Sequence, residues 1–152
     1  MASLTVTNYS DEMTTLVTNK KFLNSSVTAG KAKIASFSFT NGATAVAIGG
    51  VILLAKLSAS AKILTLRADS SNATESSTLA IGYTPVSALV DTNAAALVAA
   101  TSTAAAATLT LATGKTLTEP GVESYVFATV AGATFAANAT LKGYIVYTDN
   151  ES

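Results

Sequence analysis

The sequence contains no histidine, no cysteine and no tryptophan among its 152 residues. Without histidine it lacks the commonest general base and metal ligand, and without cysteine it has neither thiolate chemistry nor a disulfide framework. A zinc site would need carboxylates alone. Gly49-Gly50 lacks the Lys-Ser/Thr of a phosphate-binding loop, and no Gly-x-Ser-x-Gly elbow is present. We therefore predict no catalytic, cofactor-binding or metal-binding residue, and no enzymatic activity.

Charge is scarce as well, at 12% of the residues, and the formal net charge is zero. Arg67 is the single arginine, and no basic stripe is present that would neutralise phosphates, so we expect no nucleic-acid partner. The most apolar stretch, 43–55, is too short for a membrane helix of about 20 residues, and Met1–Lys21 lacks the pattern of a secretory signal. We expect no membrane partner. A nearly uncharged surface associates readily with its own copies, because like-charge repulsion is missing.

Small residues dominate what is present: 30 alanines, 24 threonines and 16 serines. Threonine suits a pleated surface, and alanine allows close approach of neighbouring sheets. Alternation of apolar and polar residues predicts short strands. They are expected over residues 34–40, 45–48, 51–57, 63–67, 79–83, 108–112, 125–130 and 140–148.

Details of these strands can be predicted too. Phe37 and Phe39 share one face, and Asn41-Gly42 predicts a hairpin to the next strand because both residues tolerate positive φ. Residues 51–57 form a continuous apolar run, which is typical of a strand covered on both faces. In the following strand, strict alternation places Leu64 and Leu66 on one face and Ile63, Thr65 and Arg67 on the other. In residues 45–48, Val46 and Ile48 are expected to share a face.

The regular spacing of the strands predicts an all-β fold, an antiparallel β-sandwich of jelly-roll-like type. Residues 91–100 are the best helix candidate, since Asp91 or Asn93 can cap the alanines that follow. Residues 1–30 are weakly periodic and are interpreted as an extended N-terminal arm, with a short strand at 4–7; residues 31–152 form the single sandwich domain. The arm either packs on its own domain or reaches a neighbouring subunit, and the residues alone leave both open.

A few charged and aromatic side chains are candidates for chemistry. Acidic pairs occur at Asp11-Glu12, Glu119 with Glu123, and Asp149 with Glu151. Two carboxylates can hydrolyse glycosides if they flank a groove, but Glu119 and Glu123 lie in a turn-rich loop, and solvated loop charges are the preferred interpretation. Asp69 and Glu75 bracket a polar loop that lacks the dense aspartate spacing of calcium loops.

Three further features have ordinary interpretations. Arg67 is either an inter-subunit ion-pair anchor or an exposed strand-end charge, and the second is preferred slightly. Aromatic residues at this strand spacing usually belong to a core or an interface, although they can form a sugar-stacking face; they are Tyr125, Tyr144 and Tyr147. Asn-x-Ser/Thr sequons are expected by chance in a chain so rich in serine and threonine; they include those that begin at Asn8, Asn24, Asn72 and Asn138.

Two stretches carry a family resemblance. An apolar strand enters the turn Ala55-Lys-Leu-Ser-Ala-Ser-Ala61, and a polar loop and a strand ending in Gly82 follow. The chain ends with Val130-Ala-Gly-Ala-Thr, a short loop and Leu141-Lys-Gly-Tyr-Ile-Val-Tyr. This layout, over roughly residues 30–148, resembles the small structural, decoration or cement proteins of tailed double-stranded DNA bacteriophages, whose "AKLPAGA"-like turn has Ser58 here in place of proline.

The resemblance implies a β-sandwich that forms homotrimers on the capsid exterior after synthesis in the bacterial cytoplasm. It implies binding to the major capsid protein, where the protein resists the outward pressure of packaged DNA, and it brings no catalytic residues. An arm at 1–29 that clamps a neighbouring capsid or decoration subunit would add contact area. The alternatives are a tail or head-fibre component and a lectin-like carbohydrate-binding jelly roll.

Overall fold

The computed structural model describes residues 4, 6, 8–9 and 32–149. These residues form nine β-strands and no helix. The predicted strands at 51–57 and 140–148 have the bounds expected from the sequence. The strands are β1 (Asn8–Tyr9), β2 (Ala32–Thr40), β3 (Val51–Leu57), β4 (Lys62–Ser70), β5 (Thr78–Pro85), β6 (Val98–Ser102), β7 (Ala107–Thr110), β8 (Ser124–Ala131) and β9 (Thr140–Thr148).

The strands form two sheets, a five-stranded sheet in the order β1-β3-β8-β5-β6 and a four-stranded sheet in the order β2-β9-β4-β7. All pairs are antiparallel except β1 with β3, which is parallel. Successive strands from β2 to β7 alternate between the sheets, apart from β5 and β6, so most connections cross from one sheet to the other. The all-β, predominantly antiparallel architecture expected from the sequence is therefore confirmed.

One hydrophobic cluster joins the two sheets. The four-stranded sheet contributes side chains such as Phe37, Leu66 and Ile145, and the five-stranded sheet contributes others such as Ile52 and Ile81. The alternation along each strand is what directs these residues inward and leaves serine, threonine and charged residues outside. The sheets consequently pack face to face in a sandwich-like arrangement.

A second cluster covers the outer face of the five-stranded sheet. Val51, Leu53 and Phe127 are buried there under Leu4 and are joined by Val6, Tyr9 and residues of the loop 86–97. This second layer explains the unbroken apolar run of β3, since its strand has a buried neighbour on both faces, as the sequence predicts.

Gly82 allows the 86–97 loop to lie directly on this sheet. A Cβ atom there would lie 1.9 Å from the backbone oxygen of Asn93. In the other sheet, Gly143 allows β9 to approach its neighbouring strand β4 closely, since a Cβ atom there would lie 2.0 Å from the backbone oxygen of Arg67. Both positions need glycine for close backbone approach.

The predicted helix at 91–100 is wrong. The Asp91 and Asn93 carbonyls accept turn bonds from Ala94 and Ala96. The Asn93 carbonyl also accepts from the Tyr83 N–H of β5, and the Leu97 N–H bonds to the Ile81 carbonyl. A helix this short depends on tertiary packing for its stability. Here the tertiary partners lie along β5, so the chain continues as turns into β6.

The predicted hairpin at Asn41-Gly42 is also wrong, because β2 pairs with β9 and not with residues 45–48. The Asn41 side chain instead donates to the carbonyls of Phe135 and Ala136, at 3.3 and 2.9 Å. The expected strand at 45–48 is reduced to a single bridge between Val46 and Phe135. Val46 is buried there whereas Ile48 is exposed, so the two do not share a face.

The register of β4 differs from strict alternation. A bulge between Ile63 and Thr65 lets Ile63 and Leu66 both face the core, while Leu64 is half-buried. A bulge adds one residue to one strand and reverses the facing of everything beyond it. The predicted separation of Ile63 from Leu66 is therefore wrong.

The predicted division at residue 30 lies outside the described residues and stays a prediction. The strand expected at 4–7 falls partly there too, and the described strand of this region is β1, at Asn8–Tyr9.

Candidate assembly surfaces

The two ends of the sandwich differ sharply in charge. One end is built by the loops 41–50, 71–77, 103–106 and 132–139, and Glu75 is the single charged residue in them. We call this surface the neutral end. Its loops interlock through backbone bonds, such as Asn41 N–H to the Ala139 carbonyl at 2.8 Å and Thr103 N–H to the Ser77 carbonyl at 2.8 Å. An uncharged surface costs little to desolvate in an interface compared with a charged one.

A buried amide holds the neutral end together. The Asn72 Nδ2 donates to Ser77 Oγ at 3.0 Å and to Thr103 Oγ1 at 3.2 Å, with a longer contact of 3.4 Å to the Thr103 carbonyl. Its Oδ1 accepts from Ala136 N at 2.9 Å and from Thr74 Oγ1 at 3.1 Å. Asn72 has no exposed surface. One side chain thus fixes three loops, a role that the sequence did not reveal.

The neutral end also presents an exposed aliphatic side chain beside a concavity. Ile48 is 61% exposed. The concavity has a volume of about 470 Å³ and is lined by Asn8, Asn41 and residues 44–50. Its lining combines apolar residues with Asn8, Asn41 and Thr44 and contains no charged or titratable side chain of the kind that perturbed-pKa catalytic sites use.

The opposite end of the sandwich carries paired charges. It comprises the turn 58–61, the loop 111–123 and the adjoining strand ends, and we call it the charged end. Lys62 lies 2.9 Å from Glu119, and Lys56 is ion-paired with Glu123. These pairs are partly exposed, and such pairs contribute about 0–1 kcal/mol each. They pair the two glutamates of the loop 111–123, which also carries Lys115.

A third ion pair at this end is buried. Lys33 Nζ lies 3.2 Å from Asp149 Oδ2, and the two side chains are 9% and 8% exposed. Ser60 Oγ donates to the other carboxylate oxygen at 2.5 Å. Burial raises the pKa of Tyr147, and the Asp149 carboxylate adds to that shift. This network joins β2 to the end of the neighbouring strand β9 and to the turn 58–61.

Leu117 is the most unusual residue of the charged end. It has a positive φ of 67°, which is strained for a side chain other than glycine, asparagine or aspartate. Its N–H bonds to the Ile63 carbonyl at 2.6 Å, and the Ile63 N–H bonds to the Thr118 carbonyl. The two bonds fix the backbone, and the side chain is left 57% exposed.

The outer face of the four-stranded sheet places Arg67 in the middle of a polar row. Its guanidinium lies 3.4 Å from Asp69, which also accepts a hydrogen bond of 2.7 Å from Thr108. That hydrogen bond and the Arg67 charge lower the pKa of Asp69. Arg67 is exposed, as the preferred interpretation from the sequence expects, but it lies inside β4 and not at a strand end.

The carboxylates considered from the sequence do not converge. Glu119 and Glu123 each pair with a different lysine, and Asp69 is occupied by Arg67 and Thr108. Within residues 4, 6, 8–9 and 32–149, no group of three or more histidine, cysteine or acidic residues is placed to hold a metal ion. Asp11, Glu12 and Glu151 lie outside the described residues.

The three tyrosines do not form one face. Tyr125 lies beside the outer cluster of the five-stranded sheet, Tyr144 is exposed on the outer face of the four-stranded sheet, and Tyr147 packs against the core. The arrangement therefore provides no sugar-stacking platform from these side chains. Of the sequons, Asn72 is wholly buried and Asn24 lies outside the described residues. In the part of the chain that the structure covers, no helix has the length and apolar character to cross a membrane.

The fold is shared with chains in solved phage capsid structures. A chain of the capsid of Ralstonia phage GP4 matches with a TM-score of 0.70 and 20% identity, over 88% of this chain and 94% of that chain. A chain of the acid-stable capsid of Helicobacter pylori bacteriophage KHP30 matches with a TM-score of 0.55 and 16% identity, over 82% and 92%. A chain of the cyanophage Pam1 capsid asymmetric unit matches with a TM-score of 0.53 and 20% identity, over 85% and 94%.

No protein-family model and no curated protein matches the sequence. At 16–20% identity, the likeness to the three capsid chains establishes a common fold. Fold alone does not fix a function.

Proposed function

We propose that this protein is a decoration, or cement, protein of a tailed double-stranded DNA bacteriophage. It is a non-enzymatic virion component that forms homotrimers, binds the outer surface of the major capsid protein shell and stabilises that shell. The observation that carries the proposal is the fold, which matches chains in three phage capsid structures over more than four-fifths of this chain and over at least 92% of each of those chains. Matches of nearly equal length support a small dedicated virion protein.

The strand order supports a jelly-roll interpretation of the sandwich. Strands β2 to β9 form two sheets of four, β2-β9-β4-β7 and β3-β8-β5-β6, with β1 added at one edge. In each sheet the strands pair antiparallel, as in two interleaved Greek keys. Jelly rolls are widespread in viral capsid domains. Residues 31–152 would form this domain and residues 1–30 the arm.

The neutral end supplies a surface for repeated contacts. Its loops carry one charge, Glu75, and an exposed Ile48. Copies that meet around a symmetry axis bring identical residues close together, so an uncharged surface avoids repeated like-charge repulsion. Modest contacts multiplied by symmetry give a large combined affinity for a shell.

Binding to emptied shells of the source phage tests the proposal. Shells stripped of this protein are mixed with purified protein, and bound copies are counted by cryo-electron microscopy and by sedimentation. We expect saturable binding at symmetry-related positions and a higher temperature of shell disruption. The absence of binding to intact shells would contradict the proposal.

Two matched variants locate the contact. Ile48→Glu places a charge on the neutral end, and Leu117→Glu changes a similarly exposed aliphatic residue on the charged end. We expect Ile48→Glu to weaken trimer formation or shell binding at least tenfold, equivalent to about 1.4 kcal/mol, while Leu117→Glu leaves both unchanged. The opposite pattern would assign the contact to the charged end.

A further inference from the structure

A hydrophobic socket lies on the outer face of the five-stranded sheet, and its own side chains come from outside the N-terminal segment. Val51 and Leu53 of β3, Phe127 of β8 and Leu89 of the loop 86–97 form it. Leu4, Val6 and Tyr9 of the N-terminal segment pack against it. Leu4 is buried there, and its N–H bonds to the Leu89 carbonyl at 3.0 Å. The socket therefore recognises a short peptide that reaches it from elsewhere in the chain.

The peptide binds by adding a strand to a sheet edge. Asn8 and Tyr9 pair in parallel with Ile52 and Leu53, at the otherwise open edge of β3. Strand addition takes its affinity from backbone hydrogen bonds and its specificity from side-chain pockets. Residues 1–9 contain no charged side chain, so docking buries no side-chain charge. Nothing in these contacts requires that peptide and socket belong to the same copy.

The connection to the rest of the chain is much longer than its path requires. β1 runs parallel to β3 towards the charged end, where β2 begins at Ala32 opposite Thr148. The direct path covers the four remaining residues of β3, about 13 Å, and the separation of two packed sheets, about 10 Å. Residues 10–31 make this connection. Fully extended, they reach about 75 Å, roughly three times what the path needs.

From this excess we infer that, in the assembled homotrimer, residues 4–9 of one copy occupy the socket of the next copy. The inference rests on the self-association in the proposed function and names the contact that performs it. An exchange of identical elements between copies keeps every contact and costs little. The long connection makes the exchange possible without disturbing either sheet.

The absence of cysteine allows a direct test by engineered disulfides. Tyr9 and Leu53 are partners across the parallel pair, and neighbouring strands lie about 4.8 Å apart, within the range of a disulfide. One chain carries Tyr9→Cys, and a second chain of different mass carries Leu53→Cys. The two are co-expressed, oxidised and separated on a non-reducing denaturing gel.

With exchange, we expect disulfide-linked pairs that contain one chain of each mass. A contact between neighbouring copies can link only when the copy that donates the peptide carries Tyr9→Cys and the copy that accepts it carries Leu53→Cys, which holds for roughly a quarter of the contacts in a randomly mixed cyclic trimer. A chain with both substitutions should form linked multimers. A matched control replaces Tyr9→Cys by Thr108→Cys, on the outer face of the four-stranded sheet, and should give no pairs with Leu53→Cys. Mixtures without linked pairs overturn the inference, most clearly if the doubly substituted chain closes a disulfide within itself.

Light scattering on the same samples separates this inference from the proposed function. A trimer without linked pairs contradicts the exchange alone. A monomer, both free and on shells, contradicts the self-association on which both depend. A short bifunctional thiol reagent repeats the test without disulfide geometry, and a negative result with both chemistries counts against exchange.

Discussion

Replacing Asn72 by alanine should be the most damaging single change at the neutral end. The Asn72 amide makes four hydrogen bonds of 2.9–3.2 Å and one longer contact. The variant leaves the Thr103 hydroxyl without this partner in a buried setting and the Ala136 N–H without it in a partly buried one. Each buried polar group that loses its partner costs about 1–3 kcal/mol, which gives a loss of about 2–5 kcal/mol in the free energy of unfolding.

A loss of this size is easily measured. A domain of this length loses about 2–4 °C in melting temperature per kcal/mol, so Asn72→Ala should melt about 4–20 °C lower by calorimetry or circular dichroism. Glu75→Gln is the matched control, since Glu75 is an exposed residue of the same loop, and it should change the free energy of unfolding by less than about 0.5 kcal/mol. An Asn72→Ala variant as stable as the control would refute the assignment of this amide as the link between the loops.

Three other changes test the packing and the electrostatics. Gly82→Ala should lower the melting temperature, because its Cβ would lie 1.9 Å from the loop above, whereas Gly42→Ala meets nothing within 4 Å; equal melting temperatures would contradict this packing. Asp149→Asn should cost about 3–5 kcal/mol by leaving Lys33 buried without its charge partner, and Lys33→Met in the same chain should recover part of that loss in urea unfolding. In ultraviolet absorption, Tyr147 should titrate above its ordinary pKa of about 10, since burial and the Asp149 carboxylate raise its pKa. Asp149→Asn should move this titration partly back. Because the pKa of Tyr147 is higher in the folded protein than in the unfolded chain, its contribution to stability is full below about pH 10 and is lost as the pH rises through the folded pKa.

Strand positions could be predicted because two-residue alternation is a local signal. The bounds of β3 and β9 follow from continuous or alternating apolar residues, and the double covering of β3 follows from its unbroken apolar run. The absence of histidine and cysteine also narrows the range of catalytic and metal-binding chemistry that the sequence allows. These inferences need no knowledge of which strands are neighbours in space.

Features that depend on distant partners could not be predicted. Asn41-Gly42 has hairpin chemistry, but the amide bonds to residues 135 and 136. The alanines after Asp91 favour a helix, but the backbone bonds to β5. Asn72 looked like a chance sequon, and its buried network joins loops far apart in the chain. In each case a polar group forms its hydrogen bond with a residue distant in the chain, which the neighbouring sequence does not identify.

A cryo-electron microscopy reconstruction of the source phage particle tests the central claim most directly. We predict that this two-sheet domain occupies symmetry-related positions on the outside of the capsid shell, in groups of three, with the neutral end in contact with a copy or with the shell. Its absence from the shell, or its presence only in the tail or fibres, would contradict the account.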